Sequence, residues 1–244
     1  MTIVTKHIPN ALTSLNLFLG ATGVYFAISG HPDLTFFCII CAAIIDFFDG
    51  FVARLLNACS PIGKDLDSLA DLVSFGLAPA AAFSSLLHFF ATGKWSGEFW
   101  ELDFVNKLIL ILPFVLTIFS AFRLAKFNND SRQNEIFLGL TTTATGMFSV
   151  SFVYLAYSNE NFPVIFTNPI FVLFLIILLS VLLVSEIPMF SLKFQNFKWK
   201  GNENRYLLLI ISVISLIFLR LGAFVFIIPF YVFFSVVINL IKKK

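Results

Sequence analysis

The sequence predicts an all-α protein, a polytopic membrane helical bundle of about eight transmembrane helices with both termini cytoplasmic. Three observations predict it. Of 244 residues, 59% are hydrophobic and only 12% charged, with a mean hydropathy of +0.93, a balance that excludes an ordinary soluble domain. Apolar stretches near the roughly 20 residues that a span requires recur along the whole chain. Lysine and arginine are divided unequally between alternate connecting segments.

The predicted spans fall at about 11–30, 33–56, 62–91, 104–124, 136–157, 167–185, 206–220 and 222–240. The first has no small-residue cleavage site after a short apolar core, so it reads as a retained helix and not as a removable signal peptide. The second carries Cys38 and Cys41 as C-x-x-C. With no second pair and no nearby histidine, these cysteines read as packing residues. The second and third spans hold an unusual set of aspartates, and the fourth ends in Arg123 and Asn128. Residues 207–241 are interrupted only by Arg220 and Gly222, which leaves open a tight hairpin or one broken element. No low-complexity tail, long linker or internal repeat divides the chain. It therefore reads as one domain over 1–244, with a core of about 1–185 and a C-terminal helical hairpin of about 206–241.

With the N-terminus inside, the cytoplasmic segments hold Lys6, Arg54, Lys64, Arg123, Lys126, Arg132, Lys193, Lys198, Lys200, Arg205 and Lys242 to Lys244, which is 13 of 16 basic residues. Lys94, Lys107 and Arg220 fall outside. This positive-inside bias places the loop from Leu55 to Pro61 on the cytoplasmic side. The K-K-K terminus suits anionic headgroups, and nothing in the chain supports nucleic-acid binding. The 33 phenylalanines read as lipid-facing and inter-helix surface, and His7, His31 and His88 as interfacial residues near span ends.

The 26 residues from Asp46 to Asp71 carry the chemistry. At about 100° per residue, Asp46, Asp49, Gly50, Ala53 and Arg54 share one helical stripe, and Gly63, Asp67 and Asp71 share a stripe of the next helix. An ionised aspartate in a span costs roughly 2.5–3.5 kcal/mol on insertion scales, so four facing lipid would be hard to tolerate. Hard divalent cations such as magnesium or manganese prefer oxygen ligands and remove that penalty, whereas softer metals would want cysteine or histidine. Cations so held can clamp a pyrophosphate. Gly50 and Ala53 leave the stripe without bulk, so a flat base can approach the backbone. Arg54 can fork onto phosphate. Small residues also let membrane helices pack, and that alternative stays open for Gly50, Ala53 and Gly63. Asp65 lies outside the stripes and complements the dipole of the third span's first turn.

The spacing D-x2-D-G-x2-A-R-x8-G-x3-D-x3-D, eight residues at fixed offsets, resembles the signature of the CDP-alcohol phosphotransferase family. The resemblance implies that Asp46, Asp49, Asp67 and Asp71 ligate magnesium or manganese and that Asp71 takes a proton from the incoming hydroxyl. It implies that Gly50, Ala53 and Arg54 hold the cytidine diphosphate and that Gly63 permits close approach. The reaction implied is transfer of a phosphatidyl group from CDP-diacylglycerol, reached from the bilayer, to an alcohol, releasing CMP. Enzymes of the family are typically homodimers, and a bacterial inner membrane with a cytoplasmic-facing site is the location implied.

Further segments, I-P-N-A-L-T-S-L-N at Ile8, D-S-L-A-D-L-V-S-F-G-L-A-P-A at Asp67 and F-R-L-A-K-F-N at Phe122, resemble the bacterial and archaeal phosphatidylserine synthase branch, which implies L-serine as acceptor. On that reading Arg123 and Asn128 contact the acceptor or the donor phosphates, and Asn10, Thr13 and Asn16 approach the nucleotide. Positive-inside placement for Arg123, and capping or inter-helix hydrogen bonds for the three first-helix residues, are the competing readings. One departure stands out: where the branch carries a proline-containing G-L-P-x-P-like run, this chain has Thr141 and Thr143. A superfamily enzyme using glycerol 3-phosphate or inositol phosphate remains a rival. An ion-coupled transporter is a remote one, since it would distribute its acidic residues across depth or repeat a half.

Overall fold

A computed structural model describes residues 3–58, 60–130, 137–159, 163–189, 199 and 202–242. The chain is helical: α1 (Ile3–Ile28), α2 (Pro32–Leu55), α3 (Pro61–Asp71), α4 (Ala78–Thr92), α5 (Phe104–Ile111), α6 (Val115–Asn129), α7 (Thr142–Ser158), α8 (Pro169–Val184), α9 (Glu203–Leu219) and α10 (Phe224–Lys242). A π-helical segment, Leu72–Leu77, joins α3 to α4, and a 3-10 turn at Leu112–Phe114 joins α5 to α6. Two short strands, β1 (Phe137–Leu138) and β2 (Pro188–Met189), pair antiparallel, Phe137 opposite Met189.

Among the described residues, four continuous helical stretches are long and apolar enough to cross a membrane: His7–Ile28, Pro32–Leu55, Pro61–Thr92 and Phe104–Asn129. Pro169–Val184 and Phe224–Leu240 are shorter apolar helices. α7 and α9 are 17 residues each, at the short end of the roughly 17–25 residues that span a bilayer. The fifth predicted span begins later than expected. Instead of continuing from 136, the described chain forms β1, turns at Gly139 with φ +74°, and starts α7 at Thr142. The positive φ takes Gly139 out of the helical region, and a Cβ there would stand 2.7 Å from the Ser185 carbonyl oxygen and 2.8 Å from that of Leu183, so the turn admits only glycine. Thr141, at the departure from the proline-containing run, caps α7 by accepting the Ala144 N–H at 3.2 Å. The last two predicted spans are α9 and α10, broken at Arg220–Ala223 by a 3-10 turn.

The third stretch is the core of the bundle. Within its apolar window 72% of residues are buried, against 22–33% in the other three, because Ala78, Ala80, Ala81 and Ala82 let neighbouring helices close on it. The π-helical segment has a sequence cause. Pro79 has no N–H and its ring opposes the carbonyl four residues back, so the ladder shifts and the Ala78 N–H reaches Val73 O. The segment is packed through glycines: a Cβ on Gly146 would stand 3.0 Å from Phe75 Cα, and one on Gly76 2.9 Å from Ser120 Cβ. Thr117 donates to the Gly76 carbonyl at 3.2 Å, and Ser74 to Asn16 Oδ1 at 2.8 Å.

His88 lies at the far end of α4, near the end of the Pro61–Thr92 stretch. It is buried, and its Nδ1 donates to the Lys94 carbonyl at 2.7 Å while Ser85 donates to that of Trp95 at 2.7 Å. These bonds fold the loop after Gly93 back onto the helix. Asp103 then caps α5, and the Asn106 and Val105 N–H groups hold its carboxyl below the usual carboxylate range. His7 and His31 are exposed, as is Cys41, while Cys38 is half-buried.

Candidate active site

Three helices build the site. α2 presents Asp46 and Asp49 one turn apart, and α3 presents Asp67 and Asp71. The chain reverses between them at Asn57, with φ 47°. Ser60 then caps α3 by accepting the Gly63 N–H at 3.1 Å, with Pro61 preset at the first helical position. α1 closes the third side, where Thr13 donates to Asp49 Oδ2 at 2.7 Å.

Carboxylate oxygens of Asp46, Asp49 and Asp67 lie within 4.8 Å of one another. Asp71 stands within hydrogen-bonding reach of Asp46, and its Oδ1 is buried without a hydrogen-bond donor. A buried carboxylate oxygen without a donor is costly. Among the described residues, no lysine or arginine forms an ion pair with any of the four. The three converged carboxylates, partly buried and without an ion-pair partner among the described residues, fit a divalent cation.

A cleft of about 580 Å³ opens over the carboxylates, lined by Pro9, Asn10, Thr13, Asp46, Asp49, Gly50, Ala53, Arg54, Ala58, Ser60, Pro61, Gly63, Lys64 and Asp67. The two small-residue readings separate here. A Cβ on Gly50 would meet within 4 Å only the Arg54 guanidinium, at 3.8 and 3.9 Å, so no neighbouring helix requires the glycine. At Gly63 the Cβ would stand 3.1 Å from both Asn10 Oδ1 and Ser60 Oγ, which is a packing constraint between α3 and α1.

Of the residues expected at the site, Asn10 and Thr13 line the cleft, whereas Asn16, Asp71, Arg123 and Asn128 do not. Asn16 is fully buried beneath it and accepts from Ser74, while its own Nδ2 has no partner. Arg123 is buried behind Asp71, close enough for their charges to interact. Its guanidinium lies over the Phe127 ring at 5.0 Å, and Nε donates to the Leu140 carbonyl at 3.3 Å. Asn128 faces α3, donating from Nδ2 to Ser68 Oγ at 2.8 Å. Sequence reasoning missed Ser60 as a lining residue, and it placed Lys64 among the cytoplasmic basic residues without assigning it a contact. The signal for Ser60 was the S-P-x-G order that starts α3.

A helical membrane protein with clustered aspartates under a cleft of small and cationic residues belongs to the class that handles phosphorylated lipid substrates with a divalent cation. The defining pattern of the CDP-alcohol phosphatidyltransferase family matches residues 6–240, and the chain belongs to that family. It is 31% identical over 214 residues to the CDP-diacylglycerol--serine O-phosphatidyltransferase of Helicobacter pylori strain 26695, covering 87% of this chain and 81% of the relative. To the enzyme so named from Bacillus subtilis it is 32% identical over 201 residues, 82% of this chain and 96% of the relative. To that of Mycobacterium tuberculosis H37Rv it is 33% identical over 190 residues, 75% and 60% respectively.

Proposed function

We propose that this protein is a phosphatidylserine synthase, transferring the phosphatidyl group of CDP-diacylglycerol to L-serine with release of CMP. The observation that carries the reading is the convergence of the Asp46, Asp49 and Asp67 carboxylates within 4.8 Å on the floor of the cleft. The relatives' shared acceptor supports serine.

Asp46, Asp49, Asp67 and Asp71 are the ligands of magnesium or manganese, which when bound supplies positive charge to the diphosphate and its leaving group. Gly50 and Ala53 leave room for the cytosine ring, and Arg54 pairs with phosphate. Gly63 brings α3 against Asn10 at the rim. The serine hydroxyl attacks the phosphorus that bears the diacylglycerol, Asp71 accepts the hydroxyl proton, and the bond from that phosphorus to the CMP oxygen breaks. Arg123, whose Nη groups are not used in its bond to Leu140, receives the serine carboxylate.

The topology that goes with this reading has eight spans, both termini in the cytoplasm and the cleft facing the cytoplasm, in a bacterial inner membrane, as a homodimer. Membranes containing the protein should convert CDP-diacylglycerol and serine to phosphatidylserine and CMP, and form little product with glycerol 3-phosphate, inositol 1-phosphate or glycerol. Comparable turnover with any of these, or none with serine while CMP is still released, refutes the assignment of serine.

A further inference from the structure

We propose that Lys64 is a further donor-binding residue, a second cationic contact for the diphosphate on the α3 wall of the cleft, held in place by a hydrogen-bonded bracket between α3 and α6. The proposal rests on CDP-diacylglycerol as donor and extends it to a residue outside the eight-residue signature.

Charge makes the first argument. Even if two divalent cations balance the four carboxylates, a diphosphate diester brings two further negative charges, and Arg54 meets one of them. Among the described residues, Lys64 is the other cationic side chain lining the cleft. It lies one turn before Asp67 on α3, whereas Arg54 follows Asp49 and Gly50 on α2. The two cations therefore come from the two helices that carry the aspartates.

Geometry makes the second. A lysine on an exposed helix turn ordinarily samples many rotamers, and fixing one costs entropy. Here Lys64 Nζ donates to the Asn128 carbonyl at 3.2 Å, near the end of α6. That carbonyl belongs to the negative end of the helix dipole, which favours a cation. Asn128 is itself fixed, donating from Nδ2 to Ser68 Oγ at 2.8 Å, and Ser68 donates to the Lys64 carbonyl at 3.2 Å. The three bonds close a ring from α3 to α6 and back. One N–H of the ammonium is used in it, so the others remain for a phosphate oxygen. In this arrangement Asn128 acts as a positioning residue for Lys64 and not as an acceptor contact.

The test is equilibrium binding of CDP, CMP and cytidine, with magnesium present, to purified protein in detergent. Lys64→Met should weaken CDP about five- to tenfold, as expected for loss of one charge-assisted contact, and leave cytidine unchanged. Lys64→Arg should retain most of the CDP affinity. Asn128→Ala and Ser68→Ala should each cost about two- to threefold for CDP, and their double variant no more than either alone, since both open the same ring. All variants sit at exposed or half-buried positions and are checked for a monodisperse elution profile. Wild-type affinity for CDP in Lys64→Met, or equal weakening of CDP and cytidine, overturns the assignment of Lys64. Additive losses in the double variant overturn the bracket. Wild-type protein that is folded yet binds no CDP overturns the donor reading and this inference with it.

Discussion

Replacing Gly50 by alanine should make the protein more stable and a poorer enzyme at once. Alanine in a helix interior is favoured over glycine by roughly 0.5–1 kcal/mol, because glycine loses more backbone freedom on folding. At position 50 nothing opposes that gain: the added Cβ meets the Arg54 guanidinium at 3.8 Å, an ordinary van der Waals distance. For a chain of this size the gain corresponds to a rise of about 1–4 °C in Tm. The same methyl group stands in the cleft, where it keeps a base from the backbone, and at least a tenfold rise in the donor KM, about 1.4 kcal/mol, is expected. Gly76→Ala is the control. Its Cβ would lie 2.9 Å from Ser120 Cβ in a buried contact, and such overpacking costs about 1–3 kcal/mol, so its Tm should fall. The assay pairs thermal unfolding in detergent with CMP release at varied CDP-diacylglycerol. A lower Tm for Gly50→Ala would mean that the glycine serves helix packing, and an unchanged donor KM would remove it from the binding surface.

Chelation with EDTA should abolish CMP release and added magnesium or manganese restore it, and Asp46→Asn, Asp49→Asn or Asp67→Asn should each lower turnover by orders of magnitude in protein that still elutes as a folded species; full activity after exhaustive chelation would dismiss the cation. Asp71→Asn should abolish turnover while largely preserving CDP-diacylglycerol binding, whereas donor binding lost to the extent seen in Asp67→Asn would make Asp71 a ligand alone. Thr13→Val removes the 2.7 Å bond to Asp49; hydrogen bonds to charged groups contribute about 1.5–3 kcal/mol, so the magnesium concentration for half-maximal activity should rise about tenfold, and an unchanged requirement would show that Thr13 does not order the carboxylate. Single cysteines at Asn159 and Gln195, the latter outside the described residues, should label from opposite sides of the membrane in a cysteine-free background, and labelling of both from outside would overturn the orientation.

The carboxylate cluster was legible because helical periodicity acts locally. Offsets of three and four residues put Asp46 with Asp49, and Asp67 with Asp71, before any tertiary contact is known. The small-residue stripe was legible as a pattern but not in its meaning. Gly50 and Gly63 look alike in sequence, and only their neighbours, open cleft for one and Asn10 for the other, divide binding from packing. Arg123 and Asn128 show where such reasoning stops. Position in sequence set both near the acceptor or the donor phosphates, but the bonds that orient them, Asn128 to Ser68 and Arg123 Nε to the Leu140 carbonyl, are contacts across 60 and 17 residues that no local period encodes. The late start of α7 was hidden for a related reason. An apolar run reads equally as strand or helix, and the φ of Gly139 settles it by contact with carbonyls more than 40 residues away.

The π-helical segment carries the same point into the chemistry. Pro79 stands two turns beyond Asp71, and a proline there reads as a weak point in a span. Its effect is to shift the hydrogen-bond ladder over Leu72–Leu77, immediately after the last aspartate. An α-helix turns about 100° per residue and a π-turn less, so the shift changes which residues of α4 face the core relative to the aspartate stripe of α3. Ser74, Phe75 and Gly76 are all buried in consequence. Ser74 ties the segment to Asn16 of α1, and the Gly76 carbonyl is taken up by Thr117 of α6. The helix that supplies Asp67 and Asp71 is thereby locked to the helix that supplies Thr13 and to the one that supplies Arg123. Small residues at 20, 76 and 146 are what allow three helices to approach a single distorted turn. Helix packing in this chain is thus the means by which carboxylates from separate elements are held at a common distance, and a substitution that fills Gly76 should be read out at Asp71 as well as in stability.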